Sequence, residues 1–152
     1  HQVTLVPDPT DAITSSEGWD TIKYLDFLKK IISKFKAKNI RTSIFVDTDI
    51  HKIKKAAETG TDRVELYTEP YAANYHKNRK KAIEPFIIAA KAANEAGLGI
   101  NAGHDLNLDN LEFFSKNIPE LLEVSIGHAL ISDALYLGLE NTIQLYLRLL
   151  KK

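Results

Sequence analysis

Residues 80–106 read KKAIEPFIIAAKAANEAGLGINAGHDL, and they contain the structural unit from which the rest of the chain is built. The alanine-rich run Lys80–Ala96 favours a helix, and Gly97 follows it at the position where helices commonly end in a left-handed residue. Leu98–Asn101 is then a short apolar run beside glycines, the pattern of a buried strand. Ala102 and Gly103 lead out of that strand into a polar loop carrying His104. Helix, glycine stop, strand and polar loop mark a parallel βα repeat, because parallel strands need a crossover long enough to hold a helix.

Working outward, the same unit recurs on both sides. Candidate strands fall at Val3–Val6, Thr42–Val46, Arg63–Tyr67, Leu98–Asn101 and Glu123–Ile126, each ending in polar or glycine-containing sequence. Thr21–Lys38 spaces Ile22, Leu25, Leu28, Ile31, Ile32 and Phe35 at three and four residues, one apolar face of a helix with the lysines opposite. Asp49 is placed to cap a helix running through Glu58, with Gly60 as its stop. Asn110–Asn117 and Asn141–Leu150 complete the set. No linker or low-complexity tract divides the chain, so residues 1–152 read as one domain.

Five such units fit either an open doubly wound sheet or a segment of a closed (β/α)8 barrel, and periodicity does not separate the two. A complete barrel takes about 250 residues, whereas this chain has 152. The opening HQVTLVPDP already reads as a strand, without an initiating Met or a polar lead-in. The expected fold class is therefore α/β, a partial TIM-type barrel that begins mid-domain.

Composition narrows the function classes. Hydrophobic residues make up 44% of the chain and charged residues 26%, the balance of an ordinary folded protein. Lysine plus arginine and aspartate plus glutamate stand at 20 each, so no global field favours nucleic acid or an anionic membrane, and any phosphate site must be local. The chain has no cysteine, which excludes disulfides and thiolate metal sites and agrees with a cytoplasmic location. No leader or membrane-spanning run is visible.

The chemically able residues recur where parallel strands end, which in a barrel is where the site is built. Thr14, Ser15 and Ser16 follow the first strand, Asp47 ends the second, Glu65 lies near the end of the third, and His104 and His128 follow the fourth and fifth. INAGHDL and SIGHALI share one design, a glycine before a histidine, where glycine permits close backbone approach or positive φ. SIGHALIS leads towards a helix expected to begin near Ser132 or Asp133, whose N-terminus would attract phosphate. Either Gly-His pair alone is weak, since a loop histidine is more often structural than catalytic; two on successive strand ends carry more weight.

Taken in order, LVPD with TSSEGWD, FVDTD, VELYTEPYA, NAGHDLN and SIGHALI resemble the pyridoxine 5'-phosphate synthase family across essentially the whole chain. NAGH and IGHA, one βα unit apart, are the most specific part. The resemblance implies a (β/α)8 barrel of which this chain is strands four to eight. It also implies condensation of 3-amino-2-oxopropyl phosphate with 1-deoxy-D-xylulose 5-phosphate, releasing phosphate and water as the pyridine ring closes. Repeated proton transfers in that chemistry suit histidine and a glutamate of raised pKa.

By the same resemblance, His104 is a catalytic acid/base and Glu65 stabilises a transition state. The plainer reading of Glu65 is a carboxylate paired with lysine or arginine. Thr14 corresponds to a threonine that contacts the deoxyxylulose phosphate, its plain alternative being a turn hydroxyl. Around it TSSEGWD departs from the family pattern, with Ser16 in place of glutamate and Glu17 in place of glycine. Gly127 and His128 correspond to residues holding the aminoketone phosphate. Asp105 stands where glycine is usual and where a backbone contact to phosphate is expected; its carboxylate would repel an anion unless turned away.

The resemblance implies no cofactor and no metal, phosphorylated small molecules as partners, and a homo-oligomer, with neither nucleic acid nor membrane involved. Asp47 and Asp49 have carboxylate spacing that a metal can use, although Asp49 serves equally as a helix cap. His1, His51 and His76 have no partner pattern, and Trp19 and Tyr67, Tyr71 and Tyr75 read as packing residues. The family's remaining site groups, an Asn, an Asp-His pair, arginines and a further catalytic histidine and glutamate, have no match here, so this segment alone is expected to be inactive. Two other classes stay open: a different enzyme acting on a phosphorylated metabolite, and a non-catalytic phosphate-binding fragment that assembles through its sheet edges.

Overall fold

A computed structural model describes residues 1–151, and the described residues form strands β1 (Gln2–Leu5), β2 (Arg41–Val46), β3 (Arg63–Tyr67), β4 (Gly99–Gly103) and β5 (Leu121–Ser125). Between and after them run helices α1 (Leu25–Lys36), α2 (Ile50–Ala57), α3 (Glu69–Glu95), α4 (Leu111–Asn117), α5 (His128–Leu137) and α6 (Leu139–Leu149). All strand pairs are parallel, and the order across the sheet is β1-β2-β3-β4-β5. A doubly wound sheet reverses its order at a switch point. Unbroken sequential order is instead the wall of a barrel.

Curvature points the same way. In a flat sheet β1 and β5 would lie about 19 Å apart, four strand spacings of roughly 4.8 Å. Yet Gln2 Nε2 on β1 donates to Glu123 Oε1 on β5 at 3.0 Å. The sheet therefore curls until side chains of its outer strands meet across a concave face, as strand tilt and stagger require in a barrel.

Alternation along the strands separates the two faces. Ile44 and Val46, Val64 and Leu66, and Ile100 and Ala102 are fully buried in a core shared with Leu28 and Ile32 of α1, Ile53 of α2, Phe86 of α3 and Phe114 of α4. Apart from Phe45, the intervening positions on β3, β4 and β5 and their neighbours carry polar groups that meet over the concave face. Arg63 Nη1 donates to Asn101 Oδ1 at 2.9 Å and to Glu123 Oε2 at 3.0 Å, and Arg41 Nε donates to Gln2 Oε1 at 2.7 Å. Burying one face in hydrocarbon and reserving the other for polar groups is what sets the site on the concave side.

Three helices start four or more residues away from their sequence expectations. The first begins at Leu25 rather than Thr21, because Asp20 Oδ1 accepts from the amides of Ile22 and Lys23 and folds a turn, and Thr21 Oγ1 is anchored to Lys52 O at 2.6 Å. Ile22 is consequently exposed. The third starts at Glu69 rather than Lys80 and breaks at Asn78 (φ −163°, ψ 90°), whose side chain accepts from the Lys81 amide and restarts the helix. Its first half is held by Tyr71, fully buried against Phe86 and Phe114, with its hydroxyl donating to Asn110 O at 2.7 Å. The fifth begins at His128, four residues ahead of Ser132, because β5 already ends at Ser125, Gly127 takes the N-cap position, and Ala129 and Leu130 favour helix. No helix among the described residues is long and apolar enough to cross a membrane.

Candidate active site

The site is built from the loop after β4. Gly103 lies so close to β5 that a Cβ there would run into the Ser125 carbonyl oxygen, with Glu65 Oε1 only 3.1 Å away. Close approach is therefore the reason for this glycine, and the positive φ anticipated with it falls on the next residue, His104, at φ 90°. A left-handed non-glycine residue costs on the order of 1–3 kcal/mol and persists only where its surroundings hold it. Here the His104 amide donates to Ser125 O at 3.1 Å. The imidazole is engaged at both nitrogens, with Thr14 Oγ1 2.5 Å from Nε2 and Asp105 Oδ2 2.6 Å from Nδ1, and the Tyr67 ring stands edge-on to it.

Thr14 reaches the histidine from the long loop between β1 and α1. Trp19 fastens that loop, donating through Nε1 to Leu5 O at 3.1 Å and through its amide to Phe45 O at 2.9 Å. Gly18 packs against the Val46–Asp47 backbone too closely for any side chain, and its amide donates to Asp47 Oδ1 at 3.1 Å. Asp47 also faces Lys52 Nζ at 3.5 Å. Its carboxylate thus serves the loop, and that of Asp49 caps α2 by accepting from the amides of His51 and Lys52. No metal-holding group of three or more His, Asp or Glu occurs among the described residues.

Glu65 occupies the middle of β3 rather than its end and is 7% exposed. It makes no ion pair among the described residues, contrary to the plainer expectation; Thr4 Oγ1 donates to its Oε2 at 2.9 Å. Burial pushes its pKa up, and the charge of Glu123 adds to this. Hydrogen bonds from Thr4 and Ser125 and the nearness of His104 oppose the rise without cancelling it.

Glu65, His104, Gly127 and His128 all line one open cleft of about 550 Å³ on the concave face, together with Thr4, Phe45 and Ser125. Thr14 joins this group through its bond to His104. His128 is the first residue of α5, so the amides of that first turn lack intrahelical partners beside the cleft. Asp105 departs from its expected part: its amide donates to Thr68 Oγ1 at 3.3 Å, and its carboxylate turns to His104. Asp47, His51 and His76 do not line the cleft. Thr4, Ser125, Arg63, Asn101 and Glu123 were not singled out from sequence, although polar residues at alternate strand positions (Gln2 and Thr4, Arg63 and Glu65, Glu123 and Ser125) are the signal that marks them.

The family described as "Pyridoxal phosphate biosynthesis protein PdxJ" matches residues 1–152. The pyridoxine 5'-phosphate synthase of Cytophaga hutchinsonii is 64% identical over 151 residues, covering 99% of this chain and 63% of that protein. Those of Flavobacterium johnsoniae (62% over 150 residues, 99% of this chain and 63% of the relative) and Porphyromonas gingivalis (60% over 146 residues, 96% and 61%) are similar as well. The chain spans about 63% of the length of the first two of these curated relatives.

Proposed function

This chain belongs to the PdxJ family of pyridoxal phosphate biosynthesis proteins, and from that membership we propose that the full-length protein is a pyridoxine 5'-phosphate synthase. In this reading it condenses 3-amino-2-oxopropyl phosphate with 1-deoxy-D-xylulose 5-phosphate and releases phosphate and water. The observation that carries the reading is the convergence of Glu65, His104 and the start of α5 on one cleft. These supply the three kinds of group that such a ring closure needs.

His104 gives and takes protons, with Nε2 facing the Thr14 hydroxyl. Glu65, whose pKa burial raises, stabilises the charge that develops at the reacting carbonyls. Gly127 and His128 hold the phosphate of the aminoketone through free amides at a helix start, where the helix dipole favours an anion. Thr14 contacts the deoxyxylulose phosphate. A cytoplasmic homo-oligomer belongs to the same reading, and the chain described here is inactive alone because the opposing half of the site lies outside it.

The test is product formation from the two substrates by the full-length protein, followed as pyridoxine 5'-phosphate together with released phosphate. Formation of both in equal amounts supports the reading. Consumption of one substrate without the other, or binding of phosphate with no turnover, favours one of the two other classes.

A further inference from the structure

Two partners hold the His104 ring, and only Thr14 enters the site reading through its side chain. Thr14 Oγ1 stands 2.5 Å from Nε2 and Asp105 Oδ2 stands 2.6 Å from Nδ1. An ionised carboxylate only accepts hydrogen bonds, so Nδ1 carries the proton in that pair; in the neutral ring Nε2 is then the bare nitrogen and accepts from the Thr14 hydroxyl. The backbone around Asp105 is pinned. Its amide donates to Thr68 Oγ1 at 3.3 Å, Asn110 Nδ2 donates to its carbonyl at 3.2 Å, and the Thr68 hydroxyl donates in turn to the Gly103 carbonyl. Thr68 and Asn110 are themselves buried. The carboxylate is thus delivered to Nδ1 from a fixed main chain, unlike a surface ion pair whose long side chains must first be ordered.

From this geometry we propose that Asp105 is a positioning residue for His104, fixing the Nδ1–H tautomer and the ring orientation so that protons enter and leave the reaction at Nε2. The inference rests on the reading of His104 as the acid/base group. In the resting cleft the exposed Thr14 hydroxyl occupies Nε2, and a substrate hydroxyl or amine takes its place. When Nε2 accepts the substrate's proton, the ring becomes an imidazolium whose Nδ1–H still points at the Asp105 carboxylate. When Nε2 returns the proton, the same neutral tautomer is recovered. The other titratable groups around the ring are Glu65 and Tyr67 from β3 and His128 from α5. The hydrogen bond at Nδ1 goes to Asp105 alone among the described residues. A glycine at this position, which the family resemblance leads one to expect, offers no such partner.

The test is Asp105→Asn in the full-length protein, with Asp105→Glu as the conservative variant and Asp105→Gly in reserve should the Asn side chain disturb folding. Nitrogen-15 NMR of ring-labelled histidine reads the tautomer directly, and turnover with both substrates reads its consequence. In the Asn variant His104 should lose its Nδ1–H preference. Its kcat should fall by at least about 10-fold, and by no more than the roughly 10²–10⁴-fold that a whole acid/base group is worth, with KM nearly unchanged. The Glu variant should recover part of both signals. An unchanged tautomer, or a changed tautomer with unchanged kcat, overturns the positioning role. His104→Asn measured alongside separates the two readings: if it turns over normally both fall, and if it is inactive while Asp105→Asn is normal only the role of Asp105 falls.

Discussion

The two glycines that precede the two site histidines should respond very unequally to alanine. At Gly103 a Cβ would collide with the Ser125 carbonyl oxygen and would sit 3.0 Å from Ser125 Cβ and 3.1 Å from Glu65 Oε1. The first of these is backbone, held in register by pairing of β4 with β5 and by the His104 amide at 3.1 Å, so it cannot rotate away. Overpacking of this kind costs about 1–3 kcal/mol, and loosening the His104 amide bond adds about 1 kcal/mol. A loss of about 2–4 kcal/mol corresponds to a fall in Tm of roughly 4–16 °C at the 2–4 °C per kcal/mol typical of proteins of 150–250 residues. Turnover should drop by about 100-fold as well, since β4 must move away from β5 and displace His104 by about 1 Å. At Gly127 nothing lies within 4 Å of a Cβ and φ is negative at −106°, though ψ of −84° lies just outside the helical basin. Gly127→Ala should therefore cost under about 1 kcal/mol. Calorimetric melting of both variants in the full-length protein, with turnover beside it, is the assay. A Gly103→Ala protein that melts with the parent, or a Gly127→Ala protein that loses as much as Gly103→Ala, would refute the close-approach argument.

Other outcomes follow from the same geometry. His104→Asn should reduce kcat by about 10²–10⁴-fold while leaving the melting temperature close to the parent's; normal kcat with lowered stability would return His104 to a structural role. Glu65 has a folded pKa raised above its unfolded value, so its contribution to stability is fully present below the unfolded value and is lost as pH rises through the folded one. Glu65→Gln should remove that decline, flattening the stability profile on the alkaline side of the ordinary glutamate range, and denaturant titrations across pH read this directly. Asp62 behaves inversely. Burial alone would raise its pKa, but the Thr42 amide and hydroxyl and Lys36 hold it below the ordinary value, so its stabilising effect is lost as pH falls through the folded pKa and should vanish in Asp62→Asn. Asp49→Ala should cost about 0.5–2 kcal/mol through the lost cap on α2 with kcat unchanged, whereas a metal-binding Asp49 would show chelator-sensitive activity in the parent and none in the variant.

Much of the fold was legible in the linear chain because its signals are local. Short apolar runs ending in polar or glycine-containing sequence marked the five strands to within two residues at every end, and Asp49 and Gly60 bounded α2 by capping chemistry that depends only on neighbours in sequence. The first half of α3 escaped notice because Asn78 interrupts the helix and Pro70 opens it, even though Tyr71 and Tyr75 already stood four residues apart on one face. The resemblance carried in NAGH and SIGHALI picked out His104, Gly127 and His128, and the paired Gly-His design placed them at strand ends. What the chain could not express is distance between residues far apart along it. Sequential strand order and the contact of Gln2 with Glu123 decided barrel over open sheet, since both architectures repeat the same βα unit and differ only in how the units close on one another. The same holds for the site. That Glu65 rests against a threonine hydroxyl rather than a cation, that His104 itself takes the left-handed conformation, and that Asp105 turns its carboxylate to the imidazole all depend on strands and loops meeting in three dimensions. Composition and periodicity set which groups exist and which face they occupy; only packing sets which of them touch.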